Sequence, residues 1–109
     1  MSEHFLGNVA NVELTANVAA DGAAATAERD LTTVSGTAIG VWEVRPGELG
    51  GPAGDEAFVV LSGSATLTFP ATGEVITIGP GDIVRLNVGE PIRWQVHETL
   101  RKVYAFGSS

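Results

Sequence analysis

The sequence predicts an all-β domain that closes on itself as a small barrel. Short runs of β-branched and apolar residues are separated by Gly, Pro, Asp and Asn at short, even intervals, which is typical of strands joined by tight turns. Glycine accounts for 14 of the 109 residues, and segments that favour a helix are few. A chain of this length forms one domain with a single modest core.

The N-terminal third shows the weakest strand pattern. Residues 1–10 are predicted to form an arm whose Phe5-Leu6 pair packs against a core or a partner subunit. Val12–Val18 alternates loosely and predicts a first strand. Ala19–Ala27 is small, lacks an apolar stripe and is interpreted as a loop, and Leu31–Val34 is interpreted as a short strand.

The remaining strands are predicted from alternating or apolar runs bounded by turn residues. These runs are Ala38–Arg45, Glu56–Leu61, Ala65–Phe69, Glu74–Ile78, Ile83–Leu86, Pro91–His97 and Val103–Phe106. Leu49–Gly54 is interpreted as a Gly/Pro loop, and Ser62-Gly63-Ser64 as a turn. About eight to ten short antiparallel strands must hide their edges, which a jelly-roll barrel does.

Composition excludes several function classes. The net charge of −7 and the pI near 4.5 come without a basic patch, which argues against nucleic-acid and anionic-membrane binding. The chain has no cysteine, so disulfides, thiolate chemistry and cysteine-ligated zinc are excluded. The N-terminus has no basic region followed by an apolar block, and no run is long enough to span a membrane. We therefore expect a cytoplasmic protein.

Two motifs follow each other at a recognisable spacing. The first is the Pro46-Gly47 turn followed by the strand Glu56–Gly63, and the second is Gly79–Asp82 followed by a strand and the Asn87–Gly89 turn. In this order the motifs resemble a cupin over roughly residues 40–106. The resemblance implies a jelly-roll barrel of the cupin type (a double-stranded β-helix) over residues 35–109. Residues 1–34 then supply the arm and first strands of the same domain.

Three further segments resemble one small single-domain cupin subfamily. They are Gly40-Val-Trp42-Glu43 before the Pro-Gly turn, Trp94 after the second motif, and Arg101-Lys-Val-Tyr104 at the end. The subfamily is similar to the cupin domains of ureidoglycine aminohydrolase and of an ethanolamine-utilisation protein. Most of its members have no assigned activity.

The resemblance also implies where a metal site would lie. Typical cupins hold a divalent metal with three histidines and one glutamate. Two of these histidines would fall between Leu49 and Pro52, and the third at Ile92, yet none of the residues there can ligate through a side chain. Of the four ligands only Glu56 is present. We therefore expect no metal and no cofactor.

The two histidines of the chain lie away from these positions. His97 has the opposite parity to Ile92 and Trp94 and is predicted to face outward. His4 lies in the arm, where a solvated side chain is expected. We find no Ser/His/Asp arrangement and no phosphate-binding loop before a helix.

Glu56 heads a face that Phe58 and Val60 continue. If this face is inward, its carboxylate requires a partner or a proton. The candidate cations are Lys102, Arg93, Arg45 and Arg101. Lys102 is favoured, because the terminal strand of cupins passes through the barrel wall. The alternative places Glu56 in water at the rim, with Lys102 outside the barrel.

Aromatic residues complete the candidate site. Trp94, which shares a face with Ile92, and Trp42 either line a pocket or fill the core. Tyr104 shares the face of Lys102 and either donates a hydrogen bond into the barrel or packs in the core. If Trp42 faces the pocket, Glu43 faces outward. The pocket candidates are Glu56, Trp94, Lys102, Trp42, Tyr104, Phe58 and Ile92.

These observations predict a small cupin that lacks the usual metal site and binds a small polar metabolite in its barrel. Whether it is catalytic stays open. One alternative is an enzyme, a hydrolase or isomerase of a ureido- or amino-type small molecule, as the resemblance suggests. Another is a structural module that dimerises through its strands and arm. A homodimer is expected in either case.

Overall fold

A computed structural model of the protein describes residues 4–107. Within that span the chain is all-β, as predicted. The strands are β1 (Thr15–Ala16), β2 (Thr26–Val34), β3 (Thr37–Val44), β4 (Gly47–Pro52), β5 (Glu56–Phe69), β6 (Glu74–Ile78), β7 (Ile83–Leu86) and β8 (Pro91–Phe106). No helix long and apolar enough to cross a membrane occurs in this part of the chain.

All strand pairs are antiparallel, and the two longest strands organise the sheet. The order is β1-β2-β3-β8-β5-β6, with β4 added to β8 and β7 added to β5. The first half of β8 pairs with β4, its second half pairs with β3, and β5 runs beside both halves. The sheet therefore folds over along β5 and β8 and closes as the jelly-roll barrel of a cupin.

The long strands bend where the sequence suggested turns. Ser62-Gly63-Ser64 was predicted to end a strand, but β5 continues through it with register shifts against β8. Gly63 has φ +87°, and a Cβ there would meet the backbone of Thr99 and Leu100. Glycine therefore permits a bulge instead of a turn. In the same way, the predicted strands Pro91–His97 and Val103–Phe106 form the continuous β8.

In the first half of the chain one predicted loop is wrong and two predicted strands have the wrong bounds. The loop predicted over Leu49–Gly54 is mostly strand β4, whose backbone pairs with β8 although glycines supply no alternating pattern. The strand predicted over Val12–Val18 is only two residues long. The strand predicted over Leu31–Val34 is the end of the nine-residue β2, which begins inside the predicted loop Ala19–Ala27. The division of the domain at residue 35 stays a prediction.

The core lies between the two halves of the folded sheet. The inward side chains of β5 and β8 alternate with outward ones, as expected for strands with one buried face. The largest side chains with almost no exposure are Leu67, Leu100, Val41, Val44 and Val60. The arm is held from outside, because the Arg101 guanidinium donates to the carbonyl of Val9 at 3.0 Å.

Candidate functional site

A pocket of about 450 Å³ opens at one end of the barrel. Its wall combines inward side chains of β2, β3, β5 and β8 with the glycine-rich β4. Trp42 comes from β3, Glu56 from β5, and Trp94 and Lys102 from β8. The pocket therefore draws its polar and aromatic side chains from both long strands and from β3.

Glu56 and Lys102 form an ion pair inside the barrel. Lys102 Nζ donates to Glu56 Oε2 at 2.6 Å, and the two residues are 4% and 9% exposed, respectively. Along β5, Lys102 is in register with Val60, two inward positions from Glu56, a distance of about 13 Å along a strand. The lysine side chain therefore extends along the barrel over Phe58 to reach the carboxylate.

Three aromatic rings surround the ammonium of Lys102. Its Nζ lies 4.4 Å from the ring centroid of Trp42, 4.2 Å from that of Phe58 and 5.1 Å from that of Trp94. The Trp42 and Trp94 rings are 5.3 Å apart and tilted by 56°. Cation–π attraction and the carboxylate of Glu56 together stabilise a charge that burial alone would disfavour.

Burial lowers the pKa of Lys102 below its ordinary value of 10.5. The charge of Glu56, its hydrogen bond and the more distant charge of Glu28 oppose this shift without cancelling it. Desolvation destabilises the charged form of an amine, so the net direction is physically expected. The amine of Lys102 consequently releases its proton more readily than an exposed lysine does.

Tyr104 is fixed next to the ion pair by a contact across Gly40. Gly40 lies in register between Asp30 on β2 and Tyr104 on β8, and the Tyr104 hydroxyl donates to Asp30 Oδ1. A Cβ on Gly40 would collide with the tyrosine hydroxyl and with the carbonyl of Arg29. Burial and the hydrogen bond to Asp30 raise the pKa of Tyr104, so its hydroxyl remains a donor.

Two acidic side chains at the pocket rim escaped the sequence analysis. Glu28 and Asp30 line the pocket from β2 and are exposed. The sequence missed them because only Leu31–Val34 was interpreted as a strand. If the predicted strand had been extended backward from Leu31, the spacing of two between Glu28 and Asp30 would have placed both on one face. Three carboxylates and one ammonium are the charged groups that line this pocket within residues 4–107.

The sequence matches one known protein family. The family model described as the EutQ-like cupin domain matches residues 33–104. The chain belongs to this cupin family. No curated protein matches the sequence.

Solved structures support the same fold. A Rhizobium leguminosarum protein of unknown function is 26% identical with a TM-score of 0.69, over 77% of this chain and 82% of that one. EutQ of Clostridium difficile is 17% identical with a TM-score of 0.73, over 88% and 81%, and shows the fold alone. The polyketide cyclase RemF from Streptomyces resistomycificus is 25% identical with a TM-score of 0.66, over 88% and 75%.

The donor set of this cupin does not fit the family's usual metal. The segment Leu49–Pro52 and Ile92 line the pocket together, and Gly51 is in register with Ile92. The expected ligand positions are therefore adjacent in space, but their side chains are aliphatic or absent. The remaining ligand position, Glu56, is bonded to an ammonium. In the part of the chain described, no group of three or more His, Asp or Glu side chains is placed to hold a metal ion. The metal-free state itself stays a prediction.

The structure brings six of the seven pocket candidates together. Glu56, Trp94, Lys102, Trp42, Tyr104 and Ile92 line the pocket. Phe58 is buried behind them, where it packs against the Trp94 ring at 5.7 Å between centroids. The alternative with Glu56 in water and Lys102 outside the barrel is wrong, since both residues are buried.

The other sequence candidates lie outside the pocket. His97 is exposed, and its Nε2 is 2.8 Å from the Thr66 hydroxyl, as its parity indicated. Glu43 accepts a hydrogen bond from Arg101 at 3.1 Å on the opposite face from Trp42. Arg45 and Arg93 are exposed. None of these three arginines takes the place of Lys102 beside Glu56.

Proposed function

We propose that this cupin binds a small polar metabolite in the pocket at the mouth of its barrel. The observation that supports it is the buried Glu56–Lys102 pair, which lines a pocket whose walls are largely aromatic and aliphatic. Small-molecule sites typically combine such apolar walls with a few fixed polar groups. A pocket of about 450 Å³ has the size of a small-ligand site.

The charges of the pocket indicate the ligand's character. The ammonium of Lys102 is already bonded to Glu56, while Glu28 and Asp30 add negative charge at the rim. An anionic ligand would be repelled there, whereas a neutral or amino-bearing ligand would be attracted. Hydrogen-bond donors of a ureido or amino group would match the rim carboxylates. Ureido and amino groups are also the groups that the ureidoglycine aminohydrolase resemblance implies.

The same pair favours a second candidate, an enzyme that isomerises or hydrolyses the bound molecule. Lys102 Nζ and Glu56 Oε2 are a proton donor and a proton acceptor 2.6 Å apart at the pocket wall. General acid–base catalysis requires such a pair within hydrogen-bond reach of the substrate. Turnover of a bound probe, followed by NMR over hours, distinguishes an enzyme from a binding protein.

A titration of ¹⁵N-labelled protein with a probe panel tests binding. The panel contains urea, ethanolamine and glycolaldehyde, with N-carbamoylglycine as the anionic probe that should bind least, and the readout is the indole N–H signals of Trp42 and Trp94. A saturable shift with at least one neutral or amino-bearing probe is expected. Ala38→Trp, which fills the pocket wall, should abolish it, while Val75→Trp at an exposed position of β6 should not. Equal responses in both variants, or no response to any probe, would contradict the proposal.

The expected homodimer is a further part of the proposal. Val18, Val34 and Ile83 are each more than half exposed, and burying such apolar surface would favour association. Sedimentation equilibrium at several protein concentrations tests it. A single monomer mass across the series would contradict it.

A further inference from the structure

Lys102 is the only lysine in the chain. The other five basic side chains counted in the sequence are arginines. Lysine is ordinarily a surface residue, rarely buried in full, yet here it is 4% exposed and lines the pocket. The one side-chain amine of this protein therefore lies where a bound small molecule would meet it.

The surroundings of this amine match those of a nucleophilic lysine. Such lysines lie in desolvated, apolar sites with a group nearby that accepts their proton. Glu56 Oε2 is 2.6 Å from Lys102 Nζ, and the centroids of three aromatic rings lie 4.2 to 5.1 Å from the same nitrogen. The Glu56 carboxylate is therefore within reach to accept a proton from this ammonium, which would leave an amine with a free lone pair.

Competing nucleophiles are few around the pocket. Its lining contains no serine, threonine, histidine or cysteine among residues 4–107. Tyr104 lines it, but its hydroxyl donates to Asp30. Lys102 is consequently the group best placed to attack an electrophilic carbon there.

We propose that Lys102 condenses with a small neutral aldehyde or ketone in this pocket to form an imine. This inference rests on the proposed pocket ligand and assigns it a carbonyl group. Glu56 first accepts one proton from the ammonium, and the freed lone pair attacks the carbonyl carbon. A second proton moves from nitrogen to the former carbonyl oxygen. Glu56 then returns its proton, and the hydroxyl leaves as water.

The product of this step suits the same site. The sum is ammonium plus carbonyl compound giving a protonated imine plus water, with no change of oxidation state. The protonated imine is a cation beside the Glu56 carboxylate and the rings of Trp42 and Trp94. Cation–π attraction would stabilise it there. The lowered pKa of Lys102 acts in the same direction, because it increases the neutral amine available for attack.

Reductive trapping with glycolaldehyde and cyanoborohydride tests the inference directly. The chain under test has two kinds of amine, Lys102 and its α-amino group, so peptide mapping by mass spectrometry separates the two products. We expect a reduced adduct on Lys102 in the folded protein. Ala38→Trp should reduce Lys102 labelling at least roughly tenfold and leave α-amino labelling unchanged. Lys102→Arg should lose the Lys102 adduct and keep the other.

Two results would overturn the inference. One is labelling of the α-amino group alone in folded wild-type protein, which requires no variant to fold. The other is equal Lys102 labelling in wild type and Ala38→Trp.

Titration without reductant separates failure of the imine step from failure of the proposed binding function. If any probe of the panel shifts the indole signals of Trp42 and Trp94 while Lys102 stays unlabelled, the pocket binds a ligand and the imine step is wrong. If no probe shifts them and Lys102 stays unlabelled, both proposals are wrong.

Discussion

Glu56 on β5 and Lys102 on β8 meet at 2.6 Å inside the barrel, although 46 positions separate them in the chain. In the cupin family the corresponding glutamate ordinarily helps to hold a metal. Here an ammonium lies against the carboxylate, and the aromatic rings of three strands enclose it. Without the histidines that hold a metal, the buried carboxylate of Glu56 would have no cation beside it. Lys102 supplies that cation.

Lys102→Met should destabilise the fold by about 3–5 kcal/mol, because it leaves the Glu56 carboxylate buried without its cation. The double variant Glu56→Gln/Lys102→Met should recover much of this loss, since no charge then remains buried. Urea unfolding at neutral pH measures both values.

The matched control for that variant is a surface pair. Arg85 bonds Asp55 with both side chains substantially exposed, so Asp55→Asn, which keeps the bonds of Arg85 to the carbonyls of Glu56 and Leu86, should cost at most about 1 kcal/mol. Equal losses for the two single variants would show that burial of the Glu56–Lys102 pair has no energetic consequence.

The pKa of Lys102 can be measured directly. With a single lysine in the chain, protein labelled with ¹³C-lysine gives one side-chain Cε signal. Its midpoint should lie below the ordinary 10.5, since burial lowers the pKa of Lys102. Between the folded and the unfolded pKa, the unfolded chain binds more protons than the folded one, so this group makes stability rise with pH there. A folded midpoint at or above the midpoint in concentrated urea would contradict the direction.

Tyr104 should show the opposite behaviour at high pH. It is the only tyrosine, and burial and its bond to Asp30 raise its pKa above the ordinary 10.0. Tyrosinate absorbance should therefore develop at higher pH in folded protein than in urea. The stability that this group contributes is fully present below pH 10 and is lost as pH rises from there through the folded pKa.

A variant isolates the Tyr104 contribution. The unfolding free energy decreases at alkaline pH in part because Tyr104 ionises. In Tyr104→Phe that part of the decrease should be absent. Coincident titrations of the folded and unfolded wild-type protein would contradict the prediction.

Gly40 provides a steric test of the Asp30–Tyr104 contact. Gly40→Ala should destabilise the protein by about 1–3 kcal/mol, because the added Cβ overlaps the Tyr104 hydroxyl and the Arg29 carbonyl. Gly79→Ala is the control, since the nearest atom to its Cβ is 4.0 Å away, and it should change stability far less. Thermal unfolding compares the two, and similar losses would mean that the space beside Gly40 is not needed.

Much of the barrel and part of the site could be predicted from alternation alone. Glu56, Phe58 and Val60 alternate strictly, so their shared face was visible, and the parity of Ile92 and Trp94 placed them inside. The partner of Glu56 could not be predicted from alternation, and Lys102 was favoured only on the cupin resemblance, because the pairing of β5 with β8 joins segments that are distant in the chain. A local pattern does not encode where two distant strands slip past each other.

What the sequence did not predict has a common physical origin. Three of the six residues of β4 are glycines that pair through their backbone, so this strand has no hydrophobic period. Glu28 and Asp30 are exposed polar residues on a strand whose position is fixed by pairing with β3. Both segments form the pocket wall, so the shape and charge of the mouth are tertiary properties that only the folded sheet reveals.

Metal binding provides the last prediction. Dialysis against zinc, manganese or nickel, followed by elemental analysis, should leave well under one ion per chain. The positions of the missing ligands, Leu49–Pro52 and Ile92, supply no donor side chain, and the ammonium of Lys102 repels a cation from Glu56. Lys102→Met removes the ammonium but adds no nitrogen ligand, so it should still bind no transition metal tightly. One tightly bound transition-metal ion per wild-type chain would refute the metal-free site.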